Sequence, residues 1–163
     1  MAPAHTSSAQ PDSAPRVSPA VAKKPATSTT YSAEALARYD VETAAITGPR
    51  YAVLIETVHK NRPHDDTDII RRAWEFCLRH HRGQLRASGE PYVLHPLETA
   101  IVLAEMKLDS TAIAAGLLHD AVEDTPVTTP EITALFGEQV AHIVEGVTTV
   151  SYTHLTLPTI YSV

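Results

Sequence analysis

The densest chemistry in the sequence lies in the run GLLHDAVEDT, where His119-Asp120 is followed by Glu123-Asp124. On a helix, His119 and Glu123 fall four residues apart and share a face, as do Asp120 and Asp124. Consecutive helical residues diverge by about 100°, so the His119 imidazole and the Asp120 carboxylate can straddle one point beside the helix. A neutral imidazole nitrogen and a carboxylate oxygen suit a divalent transition metal such as manganese, iron or zinc. Glu123 and Asp124, one turn on, could then orient or deprotonate a water molecule. A solvated acidic face is the competing reading. Helix dipoles disfavour acids at a C-terminal end, however, and acids gathered there with a histidine ask for a compensating cation.

His95, in SGEPYVLHPL, stands just ahead of a helix, with Pro96 setting the chain after it. Alone it reads more readily as a cap or a hydrogen-bonded surface residue than as a ligand, and only its company with His119-Asp120 makes it a third candidate ligand. Arg79, His80, His81, Arg82 and Arg86 lead into Ser88-Gly89. These basic groups complement the C-terminus of the preceding helix; in a functional reading, Arg86 and Ser88 reach the base or phosphates of a nucleotide. Tyr92 is as compatible with stacking on a base as with burial. Cys77 is the one cysteine, which excludes an internal disulfide and a multi-cysteine zinc site; it reads as a small buried helical side chain.

These residues need elements to hold them. YAVLIETVHK, from Tyr51, spaces Leu54, Ile55 and Val58 along one apolar side, and Pro63 ends it. In DDTDIIRRAWEFCLRHH, the residues Ile69, Ile70, Ala73, Trp74, Cys77 and Leu78 repeat as a buried helical face, with Asp65 or Asp66 as cap. RGQLRASGEPYVLHP is a loop by its Gly83, Gly89, Pro91 and Pro96. Leu97 to Leu108 is the next helix. Asp109 or Ser110 caps another, which runs through TAIAAGLLHDAVED to Thr125-Pro126. Thr129-Pro130-Glu131 opens ITALF, with proline in the first turn where its missing N–H costs nothing. Gly137 stops it, and EQVAHIVEGV forms the last helix. Nothing alternates with period two, so the expected fold class is all-α.

The two ends differ from this middle. Residues 1 to about 32 hold five prolines and almost no large apolar side chain, too little to offset the entropy of ordering them. Ser32 to about Thr47 is helix-competent but weakly amphipathic, and Gly48-Pro49 punctuates the chain. The expected organisation is therefore a disordered Pro/Ala/Ser-rich leader over 1–48 and a folded domain over 49–149. The last stretch, VSYTHLTLPTIYSV (150–163), loses all period. Its start can be encoded by GTC TCT TAT ACA CAT CTG ACG CTG CCG ACG, which resembles a transposase-end adapter used in sequencing libraries. The expectation is a non-native tail that carries no fold information.

With 163 residues, the chain fits at most one domain of usual size. A net charge of −6 offers no basic field for DNA or RNA. No stretch reaches the ~20 apolar residues of a membrane span, and the N-terminus lacks a secretory apolar run. A cytoplasmic protein is expected. The leader overlaps organelle transit peptides in composition but lacks their arginine-rich character.

From Ile69 to Thr148 the sequence resembles the hydrolase domain of long RelA/SpoT homologues, through the blocks SGEPYVLHP, GLLHDAVEDT and FGEQVAHIVEGVT in that order and spacing. The resemblance implies an HD-domain phosphohydrolase helical bundle, incomplete at its C-terminus. It further implies hydrolysis of the 3′-pyrophosphate of ppGpp or pppGpp to GDP or GTP and pyrophosphate, with Mn2+, within the stringent response. By matching motif, His95, His119 and Asp120 correspond to metal ligands, Glu123 and Asp124 to the catalytic acids, and Arg86 and Ser88 to the guanine-nucleotide pocket. In long homologues further domains add alarmone synthesis and a ribosome contact.

Two departures stand out. Ala87 replaces a longer polar or basic side chain, and the fourth ligand, an aspartate in a downstream LADRLHN run, has no counterpart. A polypeptide ending here is expected to be marginally stable and inactive alone. A stand-alone small alarmone hydrolase and a catalytically silent HD regulatory module are the alternatives. Intact His95, His119-Asp120 and Glu123-Asp124 oppose the second.

Overall fold

The computed structural model describes residues 30–156, with side chains through residue 148. Seven helices follow one another: α1 (Ala33–Asn61), α2 (Asp68–His80), α3 (Leu94–Glu105), α4 (Ser110–Leu118), α5 (Ala121–Asp124), α6 (Thr129–Phe136) and α7 (Glu138–Thr156). Among the described residues there is no β-strand, only an isolated bridge between Leu85 and Pro91. The all-α expectation holds.

The leader boundary does not. Residues 33–48, expected to belong to a disordered segment, form the first half of α1, which runs on through Gly48 and Pro49. An interior proline removes a hydrogen bond and crowds the preceding turn, so something outside the helix must compensate. Thr43, Thr47, Leu54 and Val58 lie buried along one side at helical spacing, which supplies a packed face on both sides of the proline. Polar ties add to it. Asp40 takes a two-pronged bond from Arg82 at 2.9 and 2.5 Å, and Arg50 forks onto Glu98 at 2.6 and 2.5 Å. Tertiary contact overrides the local breaker. Residues 1–29, the rest of the leader, lie outside the described residues.

In α2, Ile70, Ala73, Trp74, Phe76 and Cys77 are buried. The N-cap is Thr67, without a side-chain cap bond, rather than the expected Asp65 or Asp66. Asp66 Oδ1 accepts from the Asp68 N–H at 2.8 Å, while Asp65 binds Arg62 at 2.6 Å and the Ser110 N–H at 3.2 Å. α3 begins three residues earlier than the expected Leu97, so His95 lies inside its first turn. Pro96 is tolerated there because the first-turn N–H groups have no helical acceptor. Asp109 caps α4 through an Oδ1 bond to the Ala112 N–H at 2.9 Å.

The single helix expected over TAIAAGLLHDAVED divides at His119 and Asp120 into α4 and α5. Both residues keep right-handed dihedrals, φ/ψ −59/−34° and −88/−11°, so the axis is interrupted rather than reversed. The His119 ring supplies a cause: its Nδ1 takes the Gly116 carbonyl at 2.6 Å, competing for an acceptor that a continuing helix would use.

α4 is the centre of the bundle, buried on nearly every side and packed by α2, α3 and α7. Its contact with α3 is close: a Cβ on Gly116 would stand 2.6 Å from Leu103 Cδ1. Leu54, Ile70, Leu97, Ile113, Leu117 and Ile132 are wholly buried in one cluster. Gly137, at φ +90°, ends α6 as expected. The α7 backbone then continues through Thr156, past the point where the sequence loses its period. Beyond Gly146, which it absorbs, no glycine or proline stands in its way until Pro158, and residues 157–163 of the expected tail fall outside the described residues.

Candidate metal centre and nucleotide loop

Two elements meet at the motif residues. The first turn of α3 carries His95, and the α4–α5 junction carries His119 and Asp120. His95 Nε2 lies 3.4 Å from Asp120 Oδ2, and His119 Nε2 lies 3.1 Å from Asp120 Oδ1. One ligand atom from each of the three lies within 4.8 Å of the others. The side chains of His119 and Asp120 are 16% and 12% exposed and that of His95 42%, so the cluster opens to solvent on the α3 side.

The donor set fits a divalent metal, and one detail carries that fit. Because His119 Nδ1 is engaged with the Gly116 carbonyl, it must be the protonated nitrogen, which turns the Nε2 lone pair toward Asp120 and His95. Burial by itself would depress the His119 pKa, but its hydrogen bond to Asp120 and the carboxylate charge outweigh it and the value is raised. Burial likewise works against the Asp120 carboxylate, yet the His119 contact, the Tyr92 hydrogen bond and the His95 charge hold its pKa below the usual range. These opposite shifts favour a proton held between His119 and Asp120, and a metal would take that proton's place.

Glu123 and Asp124 are both exposed on α5. Asp124 reaches the centre through Tyr92, whose hydroxyl stands 2.8 Å from Asp120 Oδ2 and 2.8 Å from Asp124 Oδ2. The Glu123 carboxyl has a raised pKa, through partial burial and then the charges of Asp120 and Asp124. It therefore shares the field of the centre without a hydrogen bond to it.

Arg86 and Ser88 sit on a tight hairpin between α2 and α3. Arg86 N–H donates to the Glu90 carbonyl at 2.8 Å, Gly89 N–H to the Arg86 carbonyl at 2.8 Å, and Tyr92 N–H to the Gln84 carbonyl at 2.9 Å. Gly89, at φ +87°, takes the left-handed position that such a turn requires. Arg86, Ala87 and Ser88 are exposed at its tip. No hydrogen bond among the described residues joins Arg86 or Ser88 to the metal triad.

Two neighbours carry roles that the sequence reading did not assign. His81, read as a basic complement to a helix end, is wholly buried; burial lowers its pKa, so it is neutral. Its Nδ1 meets Gln84 Oε1 at 2.9 Å and its ring stacks on Tyr92 at 5.1 Å. Arg82 likewise turns to Asp40 on α1. The signal for His81 was present: Trp74, Cys77 and His81 follow one another at helical spacing on the buried face. Nothing in the sequence foretold the Tyr92 bridge, which depends on the α2–α3 hairpin meeting α5 and its N-cap in space.

The HD domain family model matches residues 73–156, the span that contains this centre. The chain belongs to the HD domain family. A GTP pyrophosphokinase of Myxococcus xanthus is 54% identical over 95 residues, 58% of this chain and 12% of the relative. A GTP pyrophosphokinase rsh of Brucella melitensis is 44% identical over 95 residues, 58% of this chain and 13% of the relative. The bifunctional (p)ppGpp synthase/hydrolase SpoT of Escherichia coli is 49% identical over 85 residues, 52% of this chain and 12% of the relative. This HD domain is thus of the RelA/SpoT type, and the chain spans about one eighth of the length of these relatives. Among the described residues no helix is long and apolar enough to cross a membrane.

Proposed function

We propose that this chain is the metal-dependent hydrolase part of a bifunctional alarmone synthetase/hydrolase, removing the 3′-pyrophosphate of ppGpp or pppGpp. The observation that carries the reading is the convergence of His95, His119 and Asp120, with the His119 tautomer set by Gly116. The substrate class is supported by relatives whose names state it, such as the guanosine-3′,5′-bis(diphosphate) 3′-pyrophosphohydrolase of Escherichia coli O157:H7, 49% identical over 85 residues.

In this reading His95, His119 and Asp120 hold Mn2+. When bound, the metal supplies a Lewis acid that lowers the pKa of water and offsets charge on the phosphoryl oxygens. The chain's own groups do the rest. Glu123 and Asp124 orient the attacking water and accept its proton. The water oxygen joins the phosphorus, the bond to the ribose 3′ oxygen breaks, and that oxygen leaves protonated as GDP or GTP separates from pyrophosphate. Arg86 and Ser88 hold the guanine nucleotide from the hairpin, where a guanidinium can fork onto phosphate.

Only three ligand residues gather among the described residues. The 163-residue chain alone therefore binds Mn2+ weakly and does not turn over, and the reaction belongs to a protein of the relatives' length, acting in the cytoplasm in the stringent response. Contact with the ribosome belongs to regions of such a protein outside this chain, and neither membrane nor DNA is a partner.

Metal analysis of a protein of the relatives' length tests the centre: wild type should retain Mn2+ that His119→Ala loses, and it should release pyrophosphate from ppGpp only with metal. Equal metal in both would favour a silent regulatory HD module instead. Undiminished hydrolysis after complete removal of metal would overturn the mechanism.

A further inference from the structure

Asp124 is held from two sides by the hairpin between α2 and α3. Tyr92 Oη stands 2.8 Å from its Oδ2, and Gln84 Nε2 donates to its main-chain carbonyl at 3.2 Å. The same phenol stands 2.8 Å from Asp120 Oδ2. A tyrosine hydroxyl owns one proton, so it cannot donate fully to both carboxylates at once. The ring itself has little freedom. It stacks on the buried His81, which is fixed in turn by the Gln84 side chain. His81, Gln84 and Tyr92 thus make a rigid base beneath the loop tip that carries Arg86 and Ser88.

We propose that Tyr92 is the positioning residue of this centre, dividing one proton between the metal-binding Asp120 and the acid Asp124. The inference rests on the metal reading of the triad. Once Asp120 shares its charge with a cation, the phenol proton is left to Asp124. The acid is then aligned at the moment the centre is loaded, and it is fixed to the same hairpin that presents Arg86 and Ser88. Gln84 holds the main chain of Asp124 while this happens.

The test is a double-mutant cycle on Mn2+ affinity, followed by the electron paramagnetic resonance of free Mn2+, with the 163-residue chain as wild type, Tyr92→Phe, Asp124→Asn and the pair. Tyr92→Phe keeps the ring on His81, and melting curves check that each variant is folded. Tyr92→Phe should weaken Mn2+ binding about 10-fold, as loss of a ligand's outer hydrogen-bond partner does. Asp124→Asn should change the affinity at least ~3-fold more with Tyr92 present than in the Tyr92→Phe background, because a shared proton makes the two effects non-additive. If Tyr92→Phe melts below the assay temperature, the cycle is run at a lower temperature at which all four proteins are folded, with the same coupling expected.

Additive effects would overturn the proposal, since a merely structural tyrosine leaves the effect of Asp124→Asn unchanged. A wild-type chain that binds no Mn2+ sinks the metal reading and this inference with it. Coupled Mn2+ binding in a protein whose longer form leaves ppGpp intact refutes the hydrolase reading alone and leaves the role of Tyr92 standing.

Discussion

The candidate metal centre and the hairpin proposed to hold the nucleotide face the same acids but are built in opposite ways. His119 and Asp120 form the junction between α5 and α4, the most enclosed helix of the bundle, and their side chains are mostly buried. Arg86, Ala87 and Ser88 project from a turn held by its own backbone bonds, with solvent around all three side chains. The first region inherits its geometry from the core. The second owes its position to ties at its base: Gln84 to Asp124, Tyr92 to two acids, Arg82 to α1. A substitution in the core should therefore reach the metal, whereas one at the hairpin tip should reach only the nucleotide.

The largest effect expected from this contrast is on binding. His119→Ala should abolish measurable Mn2+ uptake, while Arg86→Ala should leave it within about 2-fold and weaken ppGpp binding; calorimetry with each ligand separates the two. Equal losses of Mn2+ in both variants would dissolve the distinction. Next is stability. Leu117→Ala, at a wholly buried position, should cost about 2–5 kcal/mol in denaturant unfolding. Leu85→Ala, half exposed on the hairpin, should stay within about 0.5 kcal/mol.

Proton linkage sharpens the same line. The folded-state pKa of His119 is raised above 6.5, so its contribution to stability is present below that value and fades as pH rises through the raised pKa. That of Asp120 is lowered below 3.8, so its contribution is present above 3.8 and fades as pH falls through the lowered pKa. The metal-free pair thus stabilises the fold most between those two limits. Mn2+ must displace the shared proton, so its affinity should rise as pH climbs from 6.5 through the raised His119 value, with proton release visible in buffers of different ionisation enthalpy. A pH-independent affinity would contradict this. The smallest effect belongs to the brace between α1 and the loop. Asp40→Ala removes a half-exposed ion pair screened by solvent, and its effect should be detected as faster amide exchange at Gly83 and Gln84 rather than as a lower melting point.

The helical faces of α2, the Asp109 cap, the proline-opened α6 and the Gly137 stop could all be read along the chain, because each depends on neighbours within about two turns. The His119-Asp120 pair was readable for the same reason. Continuity of α1 through Pro49 was not: the local penalty is plain in the sequence, but the buried stripe of Thr43, Thr47, Leu54 and Val58 that offsets it exists only when α3 lies alongside.

Residue types and their periodicity by themselves decided that this protein is helical and set His119-Asp120 one turn from Glu123-Asp124. Tertiary structure alone decided that His95 stands opposite Asp120, that His81 is buried, and that the Tyr92 phenol reaches from the α2–α3 hairpin to both Asp120 and Asp124. Those facts depend on distances through space, which close packing of α2, α3 and α4 sets and which no local pattern along a chain encodes.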